Sequence, residues 1–222
     1  MLGLRLENLN NHKITLVDYG VGNLLSVQRS LEMHDVEVFV TSDPDEIVNS
    51  SKLVLPGVGA FPRAMSTLYS LGLVEPIQEF VQRERPLLAI CLGMQLLMDS
   101  GSEFVETKGL GIISGRVKML PKKAIDENSL KLPNVGWSEL FPYAGSDWSN
   151  TLLNTIQPGN SAYFVHSYIA EPLSEFNLVS YALFGGHKFP AVVTDGYTTG
   201  CQFHPEKSGK IGLKIIENFV NQ

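Results

Sequence analysis

Hydrophobic and polar residues form a repeating pattern in the first half of the chain. Short apolar runs end in Gly, Asp or Pro, and segments with helical spacing follow them. The runs "KITLVDYG", "VEVFV", "KLVLPGVGAF" and "PLLAI" predict four buried strands. Helices are predicted from Asn23, from Ser42 or Asp43, across residues 62–82 and from Leu92. This alternation predicts an α/β fold with a mainly parallel central sheet and helices on both faces.

The pattern changes after Gly101, where short strand-like runs lie between Gly, Pro and Asn turns. These runs include "GLGIISGRVKMLP", "SAYFVHSYIAEP" and "LVSYALFGG", and they add strands to the second half of the fold. The chain ends in a segment whose apolar residues, such as Ile215 and Phe219, share one helical face. We find no internal repeat and no low-complexity linker. The sequence therefore predicts a short N-terminal extension, residues 1–13, and a single domain, residues 14–222.

Composition narrows the classes of function. The 222 residues are 44% hydrophobic and carry a formal net charge of −6, so the chain can bury a full core and lacks the basic character that nucleic-acid binding needs. No apolar stretch approaches the ~18–20 residues of a membrane helix, and the N-terminus lacks a secretory pattern. We expect a cytoplasmic protein with no membrane or nucleic-acid partner. In that compartment Cys91 and Cys201 are expected to be reduced.

Cys91 stands between an apolar run and a helical segment, in "AICLG". This pattern resembles a nucleophile elbow in which cysteine replaces serine. Gly93 would allow a close backbone approach, and the helix N-terminus would favour a thiolate. A buried cysteine that only packs is an equal alternative on this stretch alone.

A second candidate lies far downstream, in "QFHPE". A cysteine nucleophile needs a base, and the base needs an acceptor that holds its tautomer. His204 and Glu206, separated by one proline, could form that pair. Alone the motif is weak, since a His–Glu pair in a turn is usually polar surface. Combined with Cys91 at a strand end, it favours chemistry over packing.

Two glycines follow the third predicted strand, at Gly57 and Gly59. Their loop could direct backbone N–H groups at an anion such as a tetrahedral intermediate, although a simple turn explains the same pattern. A phosphate loop is not expected, because Lys and Ser/Thr are missing at the required spacing. His166, a polar residue in an apolar run, is a candidate to line the site. No Cys/His group has metal-ligand spacing, so neither a metal nor another cofactor is expected.

Taken together, "PGVGAF", "ICLGMQLL", "FVHSY" and "QFHPEKS" resemble the signature stretches of class I (triad) glutamine amidotransferases. The similarity is strongest to the glutaminase subunits of imidazole glycerol phosphate synthase, and it extends from about Ile14 to the C-terminus. The resemblance implies hydrolysis of L-glutamine to glutamate and ammonia through a thioester. The ammonia would pass to a separate (βα)8-barrel cyclase/synthase subunit, in a heterodimer that makes imidazole glycerol phosphate for histidine biosynthesis.

The resemblance also implies a role for each matching residue. Cys91 would be the nucleophile, His204 the base and then the acid, and Glu206 the group that orients His204. The oxyanion and substrate-binding positions would be Gly57, Val58, Gly59, Leu92, Gln95, Ser167 and Tyr168. The positions facing the partner would be Asn23, Pro133, Asn134, Val135, Trp137, Ser138 and Lys207.

One stretch departs from the family pattern. Members typically have Pro-His-x-Gly-Trp-Asn where this chain has Pro133-Asn134-Val135-Gly136-Trp137-Ser138. The catalytic set is intact, but a change at Asn134 and Ser138 bears on which partner receives the ammonia. An alternative partner is a sugar amidotransferase of surface-polysaccharide biosynthesis. Two other hypotheses are a non-catalytic scaffold subunit and a free-standing cysteine hydrolase of γ-glutamyl amides.

Overall fold

The computed structural model describes residues 13–143 and 145–222. In this part of the chain the α-helices are α1 Leu24–Glu32, α2 Pro44–Asn49, α3 Phe61–Ser70, α4 Val74–Gln82, α5 Leu92–Leu96 and α6 Gly209–Val220. The strands of the first half are β1 Lys13–Val17, β2 Glu37–Thr41, β3 Leu53–Leu55, β4 Leu87–Ile90, β5 Met98–Gly101, β6 Thr107–Lys108 and β7 Ile113–Met119. Those of the second half are β8 Asn134–Glu139, β9 Phe141–Pro142, β10 Ser161–His166, β11 Tyr168–Pro172, β12 Leu178–Phe184, β13 His187–Asp195 and β14 Thr198–Cys201.

Most of the predicted N-terminal extension lies outside the described residues. Its last residue, Lys13, is the first residue of β1 and pairs with Glu37 of β2.

An eight-stranded sheet forms the centre of the fold, in the order β2-β1-β3-β4-β14-β13-β12-β9. The first five of these strands run parallel to one another, and the last three are added by antiparallel pairing, beginning with β13 on β14. The predicted mainly parallel sheet is confirmed.

Helices cover both faces of this sheet because successive strand residues point to opposite sides. In β4, Leu88 and Ile90 pack in one core with residues of α1 and α6. Leu87 and Ala89 pack in a second core with residues of α2, α3, α4 and α5. All four β4 residues are buried, which explains why the strand appears in the sequence as an unbroken apolar run.

Two smaller sheets complete the second half. One has the order β11-β7-β5-β6, and the other pairs β10 with β8 in antiparallel register. β10 and β11 are separated only by Ser167, so the chain passes directly from one small sheet to the other.

Two local features of the structure do not follow from the sequence pattern. The helix after Cys91 ends at Leu96, and Met98–Gly101 forms β5 rather than more helix. That segment pairs in parallel with β7, a contact that no local pattern encodes. Asn23 precedes α1, but its side chain makes no capping hydrogen bond. Asp43 does cap α2, where it accepts from the N–H groups of Asp45 and Glu46.

Candidate active site

The site lies where β4 and β14 end side by side. Ile90 is in register with Cys201, so Cys91 and the residues after Cys201 leave neighbouring parallel strands at the same edge. This is the edge at which open α/β sheets bind ligands. The sheet therefore brings together two motifs that are far apart in the sequence.

Cys91 occupies a sharp turn between β4 and α5. Its φ of 55° and ψ of −107° are unusual for a residue with a side chain, and its N–H donates to the carbonyl of Cys201 over 2.7 Å. A Cβ on Gly93 would lie 2.0 Å from the carbonyl oxygen of Leu55, so only glycine fits there. Strain at Cys91 and the glycine two positions later define a nucleophile elbow.

The predicted His–Glu pair is formed. His204 Nδ1 lies 2.8 Å from Glu206 Oε1, and the two side chains are only 3% and 1% exposed. Since a carboxylate accepts hydrogen bonds, Nδ1 carries the proton in this contact. The other ring nitrogen, Nε2, is buried, has no hydrogen bond of normal geometry, and interacts with the Cys91 side chain.

The electrostatics of the corner favour a charged imidazole. Burial alone lowers the pKa of His204, but the interactions with Cys91 and Glu206 outweigh burial and raise it to about 9. His204 is therefore protonated at neutral pH, and its positive charge lies beside Cys91, where it can stabilise an anionic sulfur. A thiolate next to an imidazolium is the activated form of a cysteine nucleophile.

A cavity of about 360 Å³ opens onto Cys91. It is lined by Val58, Gly59, Cys91, Leu92, Gln95, Glu103, Pro133, Val165, His166, Ser167, Tyr168 and His204. Every predicted oxyanion and substrate-binding residue except Gly57 lies in this lining. Gly57 lies behind it: a Cβ there would meet the Tyr19 hydroxyl oxygen at 2.7 Å and the Gly93 nitrogen at 2.9 Å.

The loop after β3 contacts the backbone next to the nucleophile. The N–H of Leu92, one residue after Cys91, donates a long 3.4 Å hydrogen bond to the carbonyl of Gly57. Gly59 has a φ of 98°, a conformation that glycine adopts readily. The Leu92 N–H, the donor expected to bind an oxyanion, thus lies beside the sulfur. In the chain alone it makes a weak hydrogen bond to the Gly57 carbonyl.

Gln95 has a fixed orientation in the cavity wall. Its Nε2 donates to the carbonyl of Tyr168 at 2.9 Å and to Oε1 of Gln202 at 3.0 Å. Both N–H groups are therefore used inside the protein, and the carbonyl oxygen of Gln95 remains for the cavity.

His166 is neutral and held at both ring nitrogens. Its Nδ1 lies 3.0 Å from the Tyr168 carbonyl and its Nε2 lies 3.1 Å from Asn134 Nδ2, so Nδ1 donates and Nε2 accepts. Burial lowers the pKa of His166 to about 4. His166, which the sequence offered as a candidate to line the site, lies in the cavity wall.

The residues predicted to face a partner differ in orientation. Val135 and Trp137 are 57% and 58% exposed on the outer face of β8. Asn23, Pro133 and Lys207 are also exposed, and Ser138 is half-buried. Asn134 is the exception: its side chain is buried and points to His166.

Sequence reasoning missed two residues at the site, Gln202 and Glu103, and the orientation of a third, Asn134. Gln202 is fully buried, with Nε2 3.7 Å from Cys91 Sγ. Glu103 lines the cavity and accepts from the N–H of Phe61 at 2.7 Å. The inward side chain of Asn134 could have been found from the two-residue period of β8, because Val135 and Trp137 point the other way. Gln202 and Glu103 carry no such local signal.

Within residues 13–143 and 145–222 no group of three or more His, Cys, Asp or Glu side chains could hold a metal ion. The same residues contain no helix that is long and apolar enough to cross a bilayer. Both cysteines are free and buried.

Comparison with known protein families and solved structures shows the family to which this chain belongs. Residues 15–222 match the family model described as glutamine amidotransferase class-I. Two solved structures share the fold: a glutamine amidotransferase (TM-score 0.68, 15% identity, 94% of this chain and 99% of that one) and PurLQS from Thermotoga maritima (TM-score 0.69, 18% identity, 94% and 97%). The chain belongs to the class I glutamine amidotransferase family and is an enzyme of that class.

Curated relatives narrow the similarity within the family. The chain is 44% identical over 208 residues to imidazole glycerol phosphate synthase subunit HisH 1 of Legionella pneumophila (strain Lens), covering 93% of this chain and 98% of the relative. It is 43% identical over 208 residues to subunit HisH of Geobacillus sp. (strain WCH70), covering 94% and 96%. The chain is thus similar over nearly its whole length to HisH subunits of that synthase.

Proposed function

We propose that this chain is the glutaminase subunit of an imidazole glycerol phosphate synthase. It hydrolyses L-glutamine to glutamate and ammonia and delivers the ammonia to a cyclase/synthase subunit in histidine biosynthesis. One observation carries the chemistry: Cys91, at a strained elbow, faces a cavity and the buried His204–Glu206 pair. The names of the relatives support the pathway. The unit that does this is proposed to be a single domain, residues 14–222.

In the first step the Cys91 sulfur attacks the side-chain amide carbon of glutamine. The C–S bond forms, the carbonyl oxygen becomes an oxyanion, and the imidazolium of His204 gives its proton to the leaving nitrogen. Ammonia leaves and the γ-glutamyl thioester remains on Cys91. A water molecule then gives its proton to His204 and attacks the thioester carbon, the C–S bond breaks and glutamate is released, which restores the Cys91 thiolate and the protonated His204 of the starting state. Glu206 holds the tautomer and stabilises the charged ring throughout.

The Leu92 N–H and the Gly57–Gly59 loop are proposed to stabilise the oxyanion. The Leu92 donor already makes a 3.4 Å contact with the Gly57 carbonyl, so the substrate oxygen has to replace that carbonyl. A donor that is occupied in the chain alone supports the expectation that glutamine hydrolysis is slow without a partner. Strong hydrolysis by the lone chain would count against it.

The polar groups of the cavity match the amino-acid end of glutamine. The carbonyl oxygen of Gln95 and the carboxylate of Glu103 are acceptors suited to an α-ammonium group. Ser167 and Tyr168 line the same wall, and we propose that they complete the substrate site. The oxyanion donors lie toward Cys91, so the amide of the substrate would reach the sulfur while its ammonium group stays near Gln95.

The outer face of β8 is proposed to bind a (βα)8-barrel partner. Exposed Val135 and Trp137 supply apolar anchors, and Pro133 connects the face to the cavity wall. Asn23, Ser138 and Lys207 would contribute polar contacts at its edge. Asn134 would act through His166 rather than by touching the partner.

The test compares two cysteine variants in the complex that the chain forms on co-purification. Cys91→Ala should abolish glutamate release while the fold, measured by circular dichroism, is kept. Cys201→Ala is the matched control, since Cys201 is also buried but is not in the cavity lining, and it should keep most of the activity. Full activity in Cys91→Ala would refute the proposal.

The identity of the co-purified protein tests the pathway separately. The proposal expects a cyclase of the (βα)8 class, and recovery of a sugar-modifying amidotransferase in its place would contradict the assignment to histidine biosynthesis.

A further inference from the structure

Gln202 is a buried polar residue next to the Cys91 sulfur, and the proposed mechanism gives it no role. Its side chain has no solvent exposure. We propose that Gln202 is a positioning residue for the nucleophile: its amide, held in one orientation by Gln95, donates an N–H to Cys91 Sγ and keeps the thiolate aimed into the cavity. This rests on the proposed function in so far as Cys91 is the nucleophile.

The orientation of the Gln202 amide follows from a backbone anchor. The carbonyl of Tyr168 can only accept hydrogen bonds, so the group of Gln95 that lies 2.9 Å from it must be the NH₂. The same NH₂ lies 3.0 Å from Gln202, which therefore presents its oxygen to Gln95. The NH₂ of Gln202 is then left to face Sγ, at 3.7 Å.

The anchor is itself held in place. The Tyr168 carbonyl also accepts from His166 Nδ1, and His166 is fixed in turn by Asn134. A continuous set of hydrogen bonds thus leads from β8, through His166, Tyr168 and Gln95, to Gln202. Reversal of the Gln202 amide would place two NH₂ groups against each other and is strongly disfavoured.

The Gln202 amide interacts differently with the thiol and with the thiolate of Cys91. The thiol can donate to the carbonyl of Val165, which lies 4.0 Å from Sγ. The thiolate has no proton to donate, and the N–H of Gln202 is the donor that suits it. The strained backbone at Cys91 fixes where the side chain starts, whereas the Gln202 amide restrains where the sulfur points.

A purely structural role for Gln202 is the competing explanation, because a buried amide needs partners wherever it lies. That role predicts lower stability on substitution but no change in the chemistry of the sulfur. The pH profile of Cys91 alkylation separates the two, since it depends on the thiolate and not on the free energy of unfolding.

The experiment measures alkylation of the full chain by iodoacetamide across pH, with the modified cysteine located by peptide mass spectrometry. Gln202→Met keeps the side-chain length and removes the donor. We expect the rate at pH 7 to fall about tenfold, as for the loss of one hydrogen bond to a charged group, and the midpoint of the profile to move to higher pH. Gln78→Met is the matched control: Gln78 donates to the Leu110 carbonyl away from the site, and the profile should not change.

Gln95→Met is a second variant that does not depend on the folding of Gln202→Met. It removes the group that orients the Gln202 amide, so we expect a smaller fall in rate and a shift in the same direction. The double variant should behave as Gln202→Met alone, because Gln95 acts through Gln202. If Gln202→Met does not fold, the result for Gln95→Met decides.

An unchanged rate and midpoint in the folded variants would overturn the proposal. Iodoacetamide needs neither the glutamine site nor a partner, so this outcome is independent of whether glutamine is the substrate. Retained glutamate release in Cys91→Ala would instead refute the proposed function and leave the contact between Gln202 and the sulfur standing.

Discussion

Two regions of the molecule differ in burial: the corner where β4 and β14 end, and the outer face of β8. At the corner, His204 and Glu206 are almost fully buried and each faces a partner within the chain. On β8, Val135 and Trp137 are more than half exposed, and Trp137 packs edge-on against Tyr163, with ring centroids 5.9 Å apart. The corner has its chemical partners in place, whereas the face presents apolar surface that a second chain can cover. Substitutions in the two regions should therefore affect different measurements.

The largest effect is expected from His204→Asn, which removes the nitrogen that faces Cys91. Glutamate release by the complex should fall about a thousandfold or more, as when a base is removed from a catalytic set. A coupled glutamate assay measures it. His187→Asn is the control: its Nε2 contacts the Lys123 carbonyl outside the cavity, and activity should be unchanged. Activity of His204→Asn within tenfold of the parent would contradict the role of the corner.

Glu206→Gln should have a smaller effect on rate and a clear effect on pH dependence. The pKa of His204 is raised to about 9 from an unfolded value near 6.5, so its contribution to stability is complete below pH 6.5 and is lost as pH rises through 9. Without the carboxylate this loss should become smaller. Urea unfolding of parent and variant between pH 6 and 10 measures it, and parallel curves would show that Glu206 does not support the charged ring.

Trp137→Ala tests the face without disturbing the corner. Removal of a large exposed anchor should weaken the complex by about 2 kcal/mol, roughly thirtyfold in Kd, as at interface hot spots. Alkylation of Cys91 by a small electrophile should not change. Tyr197→Ala is the control, because Tyr197 is equally exposed but sits before β14, at the opposite edge of the sheet from Cys91. Equal Kd values for parent and Trp137→Ala would remove the β8 face from the interface.

Asn134→Ala should have the smallest effect on partner binding, and its effect should appear in stability instead. Asn134 belongs to β8 but donates inward to His166, so its loss leaves one buried ring nitrogen unpaired. We expect the free energy of unfolding to fall by about 1–3 kcal/mol and Kd for the partner to change less than twofold. Denaturant unfolding and a binding titration measure the two quantities. A large change in Kd with unchanged stability would place Asn134 at the interface.

Strands β4 and β5 show which parts of the fold could be predicted from the sequence. β4 is buried on both faces and is read directly as an apolar run, and Cys91 follows as the first residue that breaks it. β5 was missed because Met98–Gly101 follows α5 almost without interruption and becomes a strand only by pairing with β7. Tertiary contacts decide such a segment, and local pattern does not contain them.

The site shows a similar limit. Cys91, His204 and Glu206 are found because their residue types and spacing match a reaction. Gln202 lies two positions before His204 and was not singled out, because its importance depends on Gln95 and Tyr168 from other strands and helices. Residues that react can be predicted from sequence, whereas residues that hold them need the fold.

Covalent trapping shows whether Cys91 attacks the γ-carbonyl of glutamine. The full chain is incubated with a glutamine analogue that carries an electrophile at the γ-position, alone and with its co-purified partner, and the adduct is located by peptide mass spectrometry. We expect one adduct, on Cys91, that excess glutamine prevents and that is absent in Cys91→Ala. No adduct in the complex, or an adduct on Cys201 that glutamine does not prevent, would contradict it.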